Sequence, residues 1–204
     1  MYAIKTPWWL KQLYPSLVWN LFAKEKNIYL TFDDGPHPEA TPFVLDLLAE
    51  YGARATFFCI GKNVVEHSAI FKRIVSEGHA VGNHTNNHLS GWKTSKGKYL
   101  ENISLAAFQI PSKLFRPPYG QITGSQIRKV RLRYKIIMWD VLSADFDTSI
   151  TGEACYNNVV KNIEPGSVVV FHDSAKAYDR LVYALPRVLD YLSKQGYFFL
   201  PILE

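Results

Sequence analysis

Cysteine is scarce. The 204 residues hold only Cys59 and Cys155, with no Cys-x-x-Cys pair, so neither a cysteine-based structural zinc site nor a dithiol redox motif is indicated. Cys59, inside the run Thr56-Phe57-Phe58-Cys59-Ile60, reads as a buried strand residue. A long clean apolar run is also missing. Residues 1–22 come nearest, with Trp8, Trp9, Leu13, Leu17, Trp19 and Leu21, but Lys5, Pro7, Lys11 and Pro15 interrupt them and no small-residue cleavage site follows. The stretch is too broken to span a bilayer. Residues 1–26 are therefore expected to form an amphipathic segment packed on or beside the rest, with a membrane-surface anchor as the lesser alternative. The expected compartment is the cytoplasm, with peripheral membrane or envelope association second.

Concentrated charge is lacking as well. Lys and Arg number 23 against 18 Asp and Glu, a net charge of +5, yet the densest cluster is only Arg128, Lys129, Arg131, Arg133 and Lys135. That pattern is a solvated helix face, and no nucleic-acid motif accompanies it, so nucleic acid is not an expected partner. No repeat, low-complexity tract or interdomain linker is evident. At 48% hydrophobic residues, one domain can build its core without disulfides. The 14% aromatic content suits stacking on sugar faces, although aromatics serve equally as core.

Short apolar runs predict strands at 27–32, 54–60, 79–82, 113–116, 134–139, 167–171 and 197–202. Between the first two, Thr41 as cap, Pro42 in the first turn and Gly52 as stop punctuate a helix. Further helices are expected over 68–77, 98–108, 125–132, 151–163 and 179–195. Such alternation implies a mostly parallel sheet with helices outside, closed or nearly closed into a barrel; an open doubly wound sheet is the alternative.

Histidine numbers only six, and its placement matters. His84 and His88 are spaced by four in Gly82-Asn83-His84-Thr85-Asn86-Asn87-His88, which on a helical turn puts both imidazoles on one face, close enough to share a metal. Earlier, Thr31-Phe32-Asp33-Asp34-Gly35-Pro36 carries adjacent carboxylates. Neighbours in a regular strand face opposite sides, so both serve one site only if the strand ends there, and Gly35-Pro36 supplies a break. One carboxylate could bind metal while the other acts as base; alone, the motif reads as a solvated turn. Asp34, His84 and His88 would leave open positions for water and substrate. Phe115-Arg116-Pro117-Pro118-Tyr119-Gly120 is a rigid loop in which Arg116 can face a carboxylate. Finally, Val168-Val169-Val170-Phe171 ends abruptly in His172-Asp173, as where a buried strand meets a site. All these residues fall at or just beyond the C-terminal ends of predicted strands, the rim that collects active-site loops in parallel α/β barrels.

Taken together, the motifs resemble those of the polysaccharide deacetylases of the NodB-homology type, carbohydrate esterase family 4. The resemblance covers residues 27–203 and leaves residues 1–26 outside a domain at 27–204. It implies a distorted (β/α)7 barrel in which Asp34, His84 and His88 bind a divalent metal, usually Zn2+, with Co2+, Fe2+ or Ni2+ compatible with the same ligands. By the same resemblance Asp33 is the general base held by Arg116, His172 the acid oriented by Asp145, and the Tyr119 backbone N–H a donor to developing oxygen charge. The implied substrate is an acetylated glycan, hydrolysed to acetate and a free amino sugar. Two positions depart from the family pattern: Phe146 stands where the fourth motif has tryptophan, and Val170 where the fifth has leucine. Both are expected to line the substrate groove with Tyr119. Alternatives on the same scaffold are an O-acetyl xylan esterase, a small-amide amidase and a catalytically silent glycan-binding domain.

Overall fold

The strand Asn27–Asp33 (β1) shows how the sequence sorts itself into layers. Its period of two sends Ile28, Leu30 and Phe32 to one face, where they are fully buried in the main core. Tyr29, Thr31 and Asp33 take the opposite face, which is the barrel interior. The same rule sends Phe57 and Cys59 of β2 (Thr56–Cys59) outward, and Phe58 inward. In β7 (Val168–His172), Val169 and Phe171 face the helices, so Val168, Val170 and His172 face the interior. Each large apolar side chain fully buried this way contributes about 1.5–3 kcal/mol.

A computed structural model describes residues 2–22 and 25–204; residues 1, 23 and 24 of the N-terminal segment lie outside the described residues. The remaining strands are β3 (Ala80–Asn83), β4 (Leu114–Phe115), β5 (Lys135–Ile136), β6 (Val141–Leu142) and β8 (Phe198–Phe199). They form a curled parallel sheet in the order β5-β4-β3-β2-β1-β7-β6, with β8 beside the start of β1. Helices α1 (Trp8–Leu13), α2 (Ala40–Glu50), α3 (Gly61–Glu66), α4 (Ser68–Ser76), α5 (Lys96–Ala107), α6 (Gly124–Val130), α7 (Gly152–Val160) and α8 (Tyr178–Lys194) complete the chain. The long α8 buries Leu181, Ala184, Leu185, Val188, Leu189 and Leu192, the stripe expected of a helix on a sheet. The architecture is the expected distorted (β/α)7 barrel in one domain. Among the described residues no helix is long and apolar enough to cross a membrane.

Several local expectations need correction. The strand expected at 134–139 is cut to Lys135–Ile136, and Val141–Leu142 pairs separately with β7, a strand too short to leave a periodic signal. Thr41 does not cap α2. The His37 Nδ1 accepts from the Glu39 and Ala40 N–H groups at 3.3 and 3.2 Å, which frees the Thr41 hydroxyl for Asp173. His84 and His88 lie in an irregular loop, not a helical turn, with Thr85 and His88 at φ 62° and 55°.

No ladder joins β5 to β6 among the described residues, so the barrel has a seam, and the N-terminal segment lies along it. The Val18 N–H donates to Ile136 O and its carbonyl accepts from Met138, at 2.9 and 2.7 Å. Across the seam, Thr6 N–H donates to Asp140 O and Leu142 N–H to Ile4 O, both at 2.8 Å. Leu17 and Trp19 are buried there. A fully buried carboxylate fastens the arrangement: Asp140 accepts from Lys5 and Lys11, each at 2.6 Å, and from Ser167 at 2.5 Å. The two cations and the hydroxyl outweigh the burial cost and hold its carboxyl below the ordinary range. Removing the lysines strands a buried charge, whereas removing the charge leaves lysines that reach water. The Lys5→Met/Lys11→Met double variant should therefore lose roughly 3 kcal/mol or more in urea unfolding, and more than Asp140→Asn. The reverse ranking would refute the clasp.

Candidate active site

β1 ends at Asp33, which as an odd-numbered residue faces the barrel interior. A continuing strand would turn Asp34 outward. Instead Asp34 takes φ 81°, which breaks the alternation and brings its carboxylate to the same side. The turn is clamped from both sides. Asn63 donates to the Asp34 carbonyl at 2.8 Å, and Gly35 N–H donates to the Asp173 carboxylate at 3.1 Å. Only glycine fits at 35, because a Cβ there would come 2.0 Å from Asp173 Oδ2.

The loop after β3 delivers the histidines. Asn83 Oδ1 accepts from Thr85 N–H, and Asn102 Oδ1 from α5 accepts from both Asn86 and Asn87, all at 2.9 Å. His84 Nδ1 donates to Arg116 O at 2.8 Å, so its Nε2 lone pair is left for the site. His88 Nε2 and His84 Nε2 approach Asp34 Oδ1 to 3.1 and 3.6 Å. That buried oxygen nevertheless has no hydrogen-bond partner. Asp34, His84 and His88 each offer one ligand atom, all within 4.8 Å of one another. Ligands about 2.0–2.1 Å from a tetrahedral zinc lie roughly 3.3 Å apart, so the spacing and the oxygen–nitrogen donor set both fit a divalent cation.

Arg116, at the end of β4, is completely buried. Its guanidinium donates to Asp33 Oδ1 and Thr31 Oγ1 at 2.7 Å, to Met138 O at 2.8 Å and to Ile137 O at 3.3 Å, and lies 4.1 Å over the Phe58 ring. Opposite, Asp33 and His172 are register partners on β1 and β7. Asp145 holds His172 twice, accepting its ring Nδ1–H at 2.8 Å and its backbone N–H at 2.7 Å. That leaves His172 Nε2 for the site.

The Pro118–Gly120 turn puts Tyr119 at φ 60°, its ring packed at 4.5 Å on His88. Among the described residues its backbone N–H has no acceptor. Phe146 packs edge-on against His172 at 5.2 Å, and Val170 is buried in the barrel wall between Thr31 and Leu142. Every non-glycine residue with positive φ among those described, Asp34, Thr85, His88, Tyr119 and Ala144, lies on the loops of this rim. Strain of this kind collects where a structure holds functional groups in place.

Residues 22–135 match the family model for polysaccharide deacetylases. A peptidoglycan-N-acetylglucosamine deacetylase of Bacillus cereus is 39% identical over 95% of each chain. The chain belongs to the polysaccharide deacetylase family. A chitooligosaccharide deacetylase of Azorhizobium caulinodans is 34% identical over 73% of this chain and 74% of its own. Among solved structures, a peptidoglycan N-acetylglucosamine deacetylase in complex with 4-naphthalen-1-yl-N-oxidanyl-benzamide superposes with a TM-score of 0.87 at 31% identity, covering 97% of this chain and 95% of that one.

Within this member of the deacetylase family, the sequence analysis gave no site role to Asp173, Thr41, Asn63, Asn83 and Asn102. All of them hold the backbone of the site loops from behind. Only Asp173, next to His172, carried a local signal. Burial first, then the Asp34 charge, push its carboxyl up to about 8 despite the Thr41 hydroxyl bonded to it.

The buried His84 and the half-buried His172 diverge. Burial depresses His84 to about 4, which keeps it neutral and able to donate its lone pair. Burial also opposes charge on His172, but the Asp145 carboxylate, helped by Asp34 and Asp33, outweighs it and carries the imidazole up to about 9. Burial would likewise raise Asp34, yet His88, His172 and His84 together hold it well below the carboxylate range. Because His172 is raised above its unfolded value of about 6.5, its pairing stabilises the fold below that pH. The stabilisation is lost as pH rises through about 9. Imidazole titration of metal-free protein by NMR should place His172 near pH 9, and roughly 1–3 pH units lower in Asp145→Asn. Equal values in the two proteins would remove Asp145 as the cause.

Proposed function

We propose that this protein is a metal-dependent hydrolase that removes N-acetyl groups from N-acetylglucosamine residues of a polysaccharide, releasing acetate. The observation that carries the reading is the arrangement of one rim. A carboxylate pinned by a buried guanidinium and a histidine pinned by a buried carboxylate end neighbouring strands, beside a convergent Asp-His-His set. The relatives named for peptidoglycan N-acetylglucosamine and chitooligosaccharide point to the same substrate class.

Asp34, His84 and His88 would hold the cation, Zn2+ first by ligand chemistry, with Co2+, Fe2+ or Ni2+ also suited. Bound there, it supplies Lewis acidity for both the attacking water and the acetyl carbonyl. Asp33 takes the proton from the water as its oxygen bonds to the acetyl carbon. Arg116 occupies Asp33 Oδ1 and so leaves the other oxygen to accept that proton. The unengaged Tyr119 N–H donates to the oxygen on which charge develops. His172 gives its Nε2 proton to the nitrogen as the carbon–nitrogen bond breaks, and Asp145 steadies the cation until then. An amide nitrogen departs only once protonated, and a histidine still cationic at neutral pH meets that need better than an ordinary one. Tyr119 and Phe146 flank the groove, with Val170 on the same face of β7 as His172.

Asp33→Asn should retain bound metal and lose turnover by at least about 100-fold on N-acetylglucosamine oligomers, scored as acetate and free amine. Near-wild-type rates in metal-loaded protein would rule Asp33 out as base. His84→Ala should lose metal on dialysis, as read by elemental analysis; an unchanged metal content would reject the ligand set. Acetate released from acetylated xylan but not from the oligomers would favour the O-esterase reading instead.

A further inference from the structure

Cations that look dispersed along the chain are unevenly divided by the fold. Residues 93–135 carry nine exposed Lys and Arg side chains against one exposed carboxylate, Glu101. The whole chain has a surplus of only five, so the rest of it is net acidic. Among the described residues none of the nine pairs with a carboxylate side chain. Ion pairs within the fold therefore do not account for them.

The same stretch holds an apolar groove of about 530 Å3 between α5 and α6. Ile103 and Val130 are buried in its floor, and Lys129 and Arg133 belong to its walls. Phe108 and Leu132 also line it, yet they are 82% and 73% exposed. Phe108 caps the end of α5 and Leu132 follows α6. Those helices end just before β4 and β5 begin, so both side chains sit at the end of the barrel opposite the site. Large apolar side chains left in water beside unpaired cations match a partner that is anionic at its surface and apolar beneath. A polyphosphate or nucleic acid would use the charge but leave Phe108 and Leu132 in water. A second copy of this chain, in a two-fold contact, would set the cationic patch against itself. An anionic bilayer satisfies both features at once.

We propose that the α5–α6 face docks this protein on an anionic phospholipid surface, with the rim that carries Asp33 and His172 turned away from the bilayer. The docking does not depend on the deacetylase reading. Its test is cosedimentation of the intact protein with vesicles of phosphatidylcholine alone and of phosphatidylcholine and phosphatidylglycerol in equal parts. Binding should need the anionic lipid and weaken with salt. Lys129→Gln/Arg133→Gln should weaken it roughly 30-fold, the effect of two cations at the surface. Phe108→Ser/Leu132→Ser, which keeps every charge, should weaken it at least about tenfold. Phe108→Trp keeps the apolar bulk and should bind as wild type does, with added fluorescence that brominated acyl chains quench. Equal binding to both vesicles, binding to neither, or binding that both double variants retain would overturn the proposal. So would a tryptophan at 108 that brominated lipid leaves unquenched. A loss confined to the charge variant, and reproduced on inorganic polyphosphate, would assign the face to a soluble polyanion instead. Self-association in sedimentation velocity that Phe108→Ser/Leu132→Ser abolishes would assign it to a second copy.

Discussion

A charged group without solvent sits at the centre of this barrel. The Arg116 guanidinium is tolerable only because its N–H groups find acceptors on two separate parts of the chain: Asp33 and Thr31 of β1, and the carbonyls of Ile137 and Met138 after β5. Phe58 of β2 supplies a π face beneath it. The side chain thus ties the interior together and fixes the orientation of Asp33. Core and chemistry share one group, which is why neither can be altered alone. The carbonyl of the same residue orients His84, so the Asp33 carboxylate and the His84 imidazole are registered against each other through a single residue.

Around that anchor, identical side-chain types are given different tasks by their surroundings. Asp33 continues the strand; Asp34 leaves it through a left-handed residue and meets two imidazoles. Among the histidines, one is bonded to a carbonyl and stays neutral, the other to a carboxylate and stays cationic. Pushing the pKa values of like groups apart is how one site runs ligand, base and acid chemistry at one pH.

The seam shows a second economy of design. A sheet whose end strands do not pair leaves backbone donors and acceptors exposed. Here the N-terminal segment satisfies several of them, and buries Leu17 and Trp19 in the process. The aromatic residues that looked like a broken apolar run divide by this placement. Trp19 enters the core, Tyr2 and Leu10 line a cavity beside the Pro118–Gly120 turn, and Trp8 and Trp9 remain exposed.

Strand periodicity and turn chemistry made the barrel and its rim legible before any coordinates. Alternating apolar residues declare which face is buried, and Gly35, Gly120 and the abrupt end of the Val168–His172 strand mark where loops begin. The spacing of His84 and His88 was legible too, but its helical interpretation was not correct. Four-residue spacing brings two imidazoles together equally well in a loop held by left-handed residues, and such residues leave no mark in the sequence unless they are glycine. Short strands such as Val141–Leu142, the Asp140 clasp, the His37 cap and the hold of Asn63 on the Asp34 carbonyl had no local signature. By itself the sequence determined the residue types, their order along the strands and the faces they occupy, because those follow from local geometry. Only the tertiary structure decided which acceptor each buried donor meets and how far burial moves each titration, because both depend on groups brought together from distant parts of the chain.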